Sequence, residues 1–498
     1  MSGSLTRSDR LFLAYARTHD LAQARALVEE DADLAAGLEV EPLFETLRGL
    51  SALAAEAFLE LYRATPEEER RLCLCHYLYQ RREGLTHAEL RQLRDGLAAL
   101  HPGRSPEIGW LCAAEGSILE RQGRLEEAVR TMTEAFPDLS RDSSPFARFV
   151  QCQLDRFLGS SYRRGGNYQL AYNHLKRGHE TAERLRFRCG WSISQRFATL
   201  LWASGQYRDA LEIHCDRKRR AAAREAGAVS ILLDSHLSAA KCAIDLKATS
   251  TAEAELREAR ELLDAHPEAR ADLPGYYLLY KGETQVQRAS FEEAMGLIKE
   301  AADHFESMTP PFHAGALDAK IALSHFALYE GDYRTAVLIM RKLLEEAEEK
   351  GCLEAQGRIL ALETYFYVSE EPPLRKAFEN LTTRVHLINN PRLLFLALGN
   401  LYTYALEFLD EREQAFLLMR IKNLSTVLPK SCYEDLYRRY VTERYEHAIE
   451  NRLARYVDED WDGWKGWKDP DPEPRPTDGE DEPEEGERGG PPSGVSPE

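Results

Sequence analysis

The chain of 498 residues holds nine cysteines and fourteen histidines, the side chains whose spacing would decide for or against metal or nucleophile chemistry. A metal site or a catalytic thiol needs partners at short, fixed separations. The closest cysteines, Cys73 and Cys75, have one residue between them, too tight for a CxxC pair. The other seven (Cys112, Cys152, Cys189, Cys215, Cys242, Cys352 and Cys432) are scattered, mostly through apolar text. Reduced, buried thiols are therefore expected. His174 and His179 stand five apart, on different faces of a helix, and His304 is separated from His313 by Pro310 and Pro311. Surface or capping roles suit such lone histidines. The carboxylates follow the pattern of a solvated face, as in Glu345, Glu346, Glu348 and Glu349, and none is isolated in apolar surroundings. No phosphate-binding loop, dinucleotide fingerprint, HExxH pair or nucleophile elbow occurs. The expectation is a protein with no catalytic residues, no metal and no cofactor.

Charge is the more informative chemistry. The net charge is −19, yet residues 457–498 alone carry 15 acidic and 4 basic side chains, so more than half of the excess lies in that segment. Between Arg163 and Arg224 the balance reverses, with 14 Lys and Arg against 5 Asp and Glu, including the run Arg217, Lys218, Arg219, Arg220. Two readings stay open: a solvated helix face, or a groove or rim for an acidic partner. The acidic segment visiting the basic stretch in cis, in competition with a true partner, is a third possibility. Nucleic acid is disfavoured by the total charge and the lack of a groove-reading motif. Trp461, Trp464 and Trp467 recur every third residue at the start of the acidic segment. They suit either docking to another molecule or packing back onto the last helices. Beyond Asp469 the text is rich in Pro, Gly, Asp and Glu with Val495 its sole aliphatic residue, too little to offset chain entropy, so disorder is expected there.

The elements that must position these residues are helices. Ala, Leu, Glu and Arg dominate a composition with 43% hydrophobic and 30% charged residues, and strand-like alternation is missing. No stretch approaches the length of a membrane span, and residues 1–20 lack the apolar core of a signal peptide, so a cytoplasmic location without membrane contact is expected. A repeat organises the rest. Turn positions run Gly123, Gly166, Gly205, Lys247, Ala289, Gly331, Pro373 and Asp410, mostly 42 residues apart. Five residues after each stand Ala128, Ala171, Ala210, Ala252, Ala294, Ala336, Phe378 and Ala415. Seven residues before each stand Gly116, Gly159, Ala198, Ala240, Gly282, Ser324, Phe366 and Thr403. His19, Leu21 and Ala24 form a degenerate rung near the start. Small residues at matched heights let two antiparallel helices approach closely, and stacked pairs bury what one pair cannot.

The set Leu158, Gly159, Tyr162, Gly166, Tyr168 and Ala171 resembles the tetratricopeptide signature, with Gly205, Tyr207 and Ala210 and then Gly331, Tyr333 and Ala336 repeating its second half. The period exceeds the usual 34 residues by about one turn per helix, as in long-repeat variants that resemble the sensor arms of certain bacterial activators. The resemblance implies an all-α, right-handed superhelical solenoid over residues 71–425. Residues 1–70 form a helical N-terminal region, 426–456 a capping helix, and 457–498 the acidic tail. It also implies that the first helix of each pair lines a concave groove. In the family's register the groove positions are Gln153, Arg156, Ser160, Arg163 and Arg164, then Ser192, Gln195, Thr199, Trp202 and Ala203, then Asp234, Leu237, Lys241, Ile244 and Asp245. The lysine–asparagine pair of the peptide-carboxylate clamp is absent from these three repeats.

The function expected is an adaptor or scaffold that binds an acidic protein segment through Arg156, Arg163, Arg164, Gln195, Trp202 and Lys241, with Trp461, Trp464 and Trp467 as a further docking element. The alternative is a signal-sensing regulator whose array binds a peptide or small molecule.

Overall fold

The computed structural model describes residues 5–36, 39–81, 84–101, 105–121, 124–139, 142–164, 168–222, 229–329, 333–366, 391–404 and 409–427. Among them every regular element is a helix, and no helix is long and apolar enough to cross a membrane.

The central array consists of helix pairs α8 (Pro106–Arg121) with α9 (Leu125–Leu139), α10 (Pro145–Arg164) with α11 (Tyr168–Leu185), and α12 (Gly190–Ala203) with α13 (Tyr207–Ala222). It continues as α14 (Val229–Asp245) with α15 (Thr249–Ala265), α16 (Leu273–Gln287) with α17 (Phe291–Ser307), and α18 (His313–Tyr329) with α19 (Tyr333–Glu349). The ladder residues explain the pairing. Ala128, Ala171, Ala210, Ala252, Ala294 and Ala336 are each fully buried, as are Ala198, Ala240 and Ser324 opposite them. A Cβ on Gly282 would lie 2.5 Å from Ile298 Cγ1 and 3.1 Å from the Ala294 carbonyl, so a larger residue here would have to displace Ile298. Gly159 of α10 faces Leu175 and Ala171 of α11, whereas Gly178, later in α11, faces Asp155 and Cys152, earlier in α10. The two helices therefore run antiparallel. These contacts give an all-α array of the tetratricopeptide type.

The turn positions share one device. Gly205, Lys247 and Ala289 adopt left-handed φ values of 80°, 61° and 60°. In each, the following residue donates back to the helix it leaves: Gln206 N–H to Leu201 O at 2.8 Å, Ala248 to Ala243 at 2.9 Å, and Ser290 to Gln285 at 3.0 Å. This is the Schellman cap, which satisfies carbonyls that the helix end would orphan. Lysine and alanine accept there a conformation that disfavours side chains by roughly 1 kcal/mol, so the spacing rather than the residue type marks the turn. His19, with φ 52°, caps the first helix in the same left-handed way, and Ala24 beyond it is buried.

Upstream lie α1 (Arg7–Thr18), α2 (Leu21–Glu30), α3 (Ala32–Ala35), α4 (Val40–Leu50), α5 (Ala55–Ala64), α6 (Glu67–Arg81) and α7 (His87–Leu100). They share one core with α8, α10 and the start of α12. The ring of Phe12 meets Phe146 at 5.1 Å, Phe149 at 5.4 Å and Phe187 at 6.5 Å, so α1 is packed into the array rather than tethered to it. At the other end come α20 (Leu353–Phe366), α21 (Pro391–Tyr404) and α22 (Glu411–Val427). The capping helix expected over 426–456 lies outside the described residues beyond Val427, as do the acidic tail and Trp461, Trp464 and Trp467.

Candidate functional site

The first helices of successive pairs, α12, α14, α16 and α18, together with α20 and α21, line a concave pocket of about 560 Å³. Its width along the array follows from the stack, because each pair contributes side chains from the same helical face one period apart. The pocket is bounded across the array as well: the Arg392 guanidinium of α21 rests 5.0 Å from the ring of Tyr207, at the start of α13.

The floor is aromatic and charged together. Trp202 Nε1 donates to Asp245 Oδ2 at 2.7 Å, and Lys241 Nζ donates to Glu283 Oε2 at 2.7 Å while lying 3.8 Å from Asp245. The same ammonium is 5.9 Å from the Trp202 ring and 5.8 Å from the Tyr280 ring. Burial alone would lower the Lys241 pKa, but Asp245 and Glu283 outweigh it and hold the ammonium firmly charged. Arg270 grips Asp272 through two bonds of 2.8 and 2.7 Å, and Arg358 pairs with Asp318. Beneath the lining, the buried Arg217 pairs with Asp234 at 3.2 Å and donates to Gln195. Burial, then the neighbouring Arg217 and Lys218, pushes His214 down to about 3, so its imidazole is neutral near pH 7. Several of these bonds join consecutive repeats: Trp202 to Asp245 and Lys241 to Glu283 span 43 and 42 positions. They staple each first helix to the next.

Five basic and five acidic side chains line the pocket, so its charge is balanced. A strip that selects acidic segments by net charge is not what the lining presents. Of the residues singled out in the sequence, Arg163, Gln195, Trp202 and Lys241 line the pocket, as do Thr199, Ala203, Asp234, Leu237 and Asp245 from the same register. Arg156 does not. It is buried, with its guanidinium 4.1 Å from the Phe157 ring and bonded to Ser192 Oγ at 3.3 Å, so it works inside the array. The side chain of Arg164 lies outside the described residues. The basic run on α13, for which a solvated face and a groove or rim both stood open, is largely paired. Arg217 pairs with Asp234, Lys218 with Glu255, and Arg220 with Glu183 and Asp216, leaving Arg219 as its exposed member.

Tyr276, Leu279, Glu283 and Asp318 line the pocket without having been singled out. The signal was present. The register that names Asp234, Leu237 and Lys241 places Tyr276, Leu279 and Glu283 at the matching positions 42 residues on, and Asp318 84 residues beyond Asp234.

No family model matches the chain, and no curated protein matches it. Among solved structures it is similar to a Rap protein complexed with competence and sporulation factor, at 16% identity and a TM-score of 0.48, over 77% of this chain and 99% of that one. It is also similar to aspartyl phosphate phosphatase F from Bacillus subtilis, at 14% identity and a TM-score of 0.42, over 85% and 96%. A third is a signal transduction ATPase with a tetratricopeptide repeat sensor from Pyrococcus horikoshii, at 12% identity and 0.40, over 89% and 70%. The fold assigned above stands on this chain's own helix packing and turn geometry.

Proposed function

We propose that the protein is a binding module, an adaptor or regulator rather than an enzyme, and that its ligand is a peptide segment seated in the concave pocket. One observation carries this reading: side chains from the first helices of at least four consecutive pairs converge on one pocket of about 560 Å³. That size is within the range of sites that enclose a ligand of several residues. The balanced lining supports a segment bearing both charges. Its acids would exchange partners with Lys241 and the arginines, and its bases with Asp245, Glu283 and Asp318. Trp202 and Tyr280 supply the apolar anchor that such interfaces concentrate their affinity on. The sensor reading is favoured by a different feature. Arg392, which lines the pocket, also rests against Tyr207, and a compact ligand whose entry parts that contact suits a sensor.

A displayed peptide library panned on the immobilised full-length protein tests the first reading. The expected outcome is a family of sequences carrying both charges and losing at least about tenfold in affinity on Trp202→Ala, the loss of one anchor. Enriched peptides indifferent to Trp202→Ala and Lys241→Ala alike would place recognition elsewhere and overturn it. Thermal stabilisation by a small metabolite, abolished by Trp202→Ala, would favour the sensor.

A further inference from the structure

A second charged region lies away from the groove, at the edge where α11 turns into α12. Phe187 pins this turn by burying its ring 5.5 Å from Phe149. On either side of it stand Arg186, exposed and left-handed at φ 55°, and the half-buried Arg188. The Arg188 N–H donates to Ala16 O at 2.9 Å, which brings the exposed Arg17 at the end of α1 alongside. Arg184 is exposed in the last turn of α11. The ring of Trp191 is flanked by the guanidinium groups of Arg188 and Arg220, each 5.6 Å from its centroid.

Of the acids nearby, Glu180 stands exposed one turn before Arg184, and the others are engaged. Glu183 pairs with Arg220, and Asp216 lies 2.9 Å from Arg220 and 3.3 Å from Arg219. Asp20, beyond the end of α1, caps α2 through Gln23 N–H at 2.8 Å. Among the described residues no carboxylate lies within ion-pair reach of Arg17, Arg184, Arg186 or Arg188. Four arginines with no carboxylate in ion-pair reach, carried by the end of α1 and the turn between α11 and α12, form a surface that attracts anions.

We propose that this edge is the docking surface for the chain's own acidic segment, residues 457–498. Charge complementarity is direct, since that segment carries 15 acidic side chains against 4 basic ones. Attachment is favourable. Arg392 of α21 lies against Tyr207, and Arg220 is 13 positions further along the same helix α13, about 20 Å at the helical rise. Val427 ends α22, 34 positions before Trp461, a span that reaches about 30 Å as a coil and about 50 Å as a helix. Trp461, Trp464 and Trp467 add planar faces of the kind that Arg188 and Arg220 already hold in Trp191. Because the segment is covalently attached, even weak pairing competes with an acidic partner at high effective concentration. The edge is thereby masked until such a partner displaces the segment.

The test uses the full-length protein with Trp464 replaced by the photo-crosslinking residue p-benzoylphenylalanine, irradiated dilute and mapped by mass spectrometry. Mixing isotope-labelled and unlabelled protein separates links within a chain from links between chains. The expected result is within-chain linkage to residues 183–191 or 216–220, strong in about 0.05 M salt and reduced at least about fivefold in about 0.5 M salt, where screening shortens to about 4 Å. R184E with R186E should abolish it, and the milder R184A with R186A should reduce it, both at unchanged thermal midpoint. Linkage to the pocket residues near Trp202, linkage chiefly between chains, or the absence of linkage at low salt would each overturn the proposal.

Discussion

The groove and the edge hold similar numbers of charged residues and use them in opposite ways. In the groove each acid with a resolved partner meets a base from its own or the next repeat, as Lys241 meets Glu283 and Arg358 meets Asp318. At the edge Arg17, Arg184 and Arg186 are exposed and Arg188 is half-buried against Trp191, none of them with a carboxylate in ion-pair reach. Paired charges between repeats fix the geometry of the array and accept a ligand only by exchange. Apart from Arg188, which lies against Trp191, these unpaired charges contribute little to the fold and are available to whatever anion arrives. A count of charges along the chain, +9 between Arg163 and Arg224, does not distinguish these two uses; what each charge pairs with does.

Substitutions sharpen the difference. The largest effect is expected from Arg217→Ala. Its guanidinium is buried and pairs with the half-buried Asp234, so removing it strands a carboxylate at a cost of about 3 kcal/mol. Urea unfolding of the full-length protein reads this directly. A midpoint unchanged within error would show that the groove-side pairs are ornamental and that the contrast is false. An intermediate effect should come with pH. His214, held down to about 3 chiefly by burial, stays neutral in the fold while an unfolded chain titrates near 6.5. The unfolded state therefore binds the extra proton first. Stability is complete above about pH 6.5 and falls as the pH drops toward 3. By pH 5 the loss from this residue is about 1–2 kcal/mol. His214→Gln should flatten the acid limb of the melting curve, and an unaltered limb would put the proton elsewhere. The smallest effect belongs to the edge: R184A with R186A should shift stability by less than about 0.5 kcal/mol, as exposed unpaired residues do.

The fold was legible because its determinants are local and periodic. Small residues at fixed distances from each turn, such as Gly159 with Ala171 and Gly282 with Ala294, are what antiparallel helices need, and the structure buries these four. The turn at Lys247 was visible from spacing even though its residue type argues against a left-handed cap. The groove was legible as far as its positions, since Gln195, Trp202 and Lys241 line the pocket. Its charge was not, because the pairs that neutralise it join residues 42 or 43 positions apart and depend on how neighbouring repeats stack. Arg156 misled for a related reason: it is buried, with its guanidinium bonded to Ser192 of α12 in the following repeat. The union of α1 with α10 left no mark, since Phe12, Phe146 and Phe187 become neighbours only after folding.

The most direct test of the pocket as the recognition site is amide hydrogen exchange on the full-length protein, with and without a peptide selected on it. Slowed exchange confined to α12, α14, α16 and α18, with residues 183–191 unchanged, is the result this account predicts. Protection at residues 183–191 with no change in those four helices would contradict it, and would make the arginine edge the working face of the molecule.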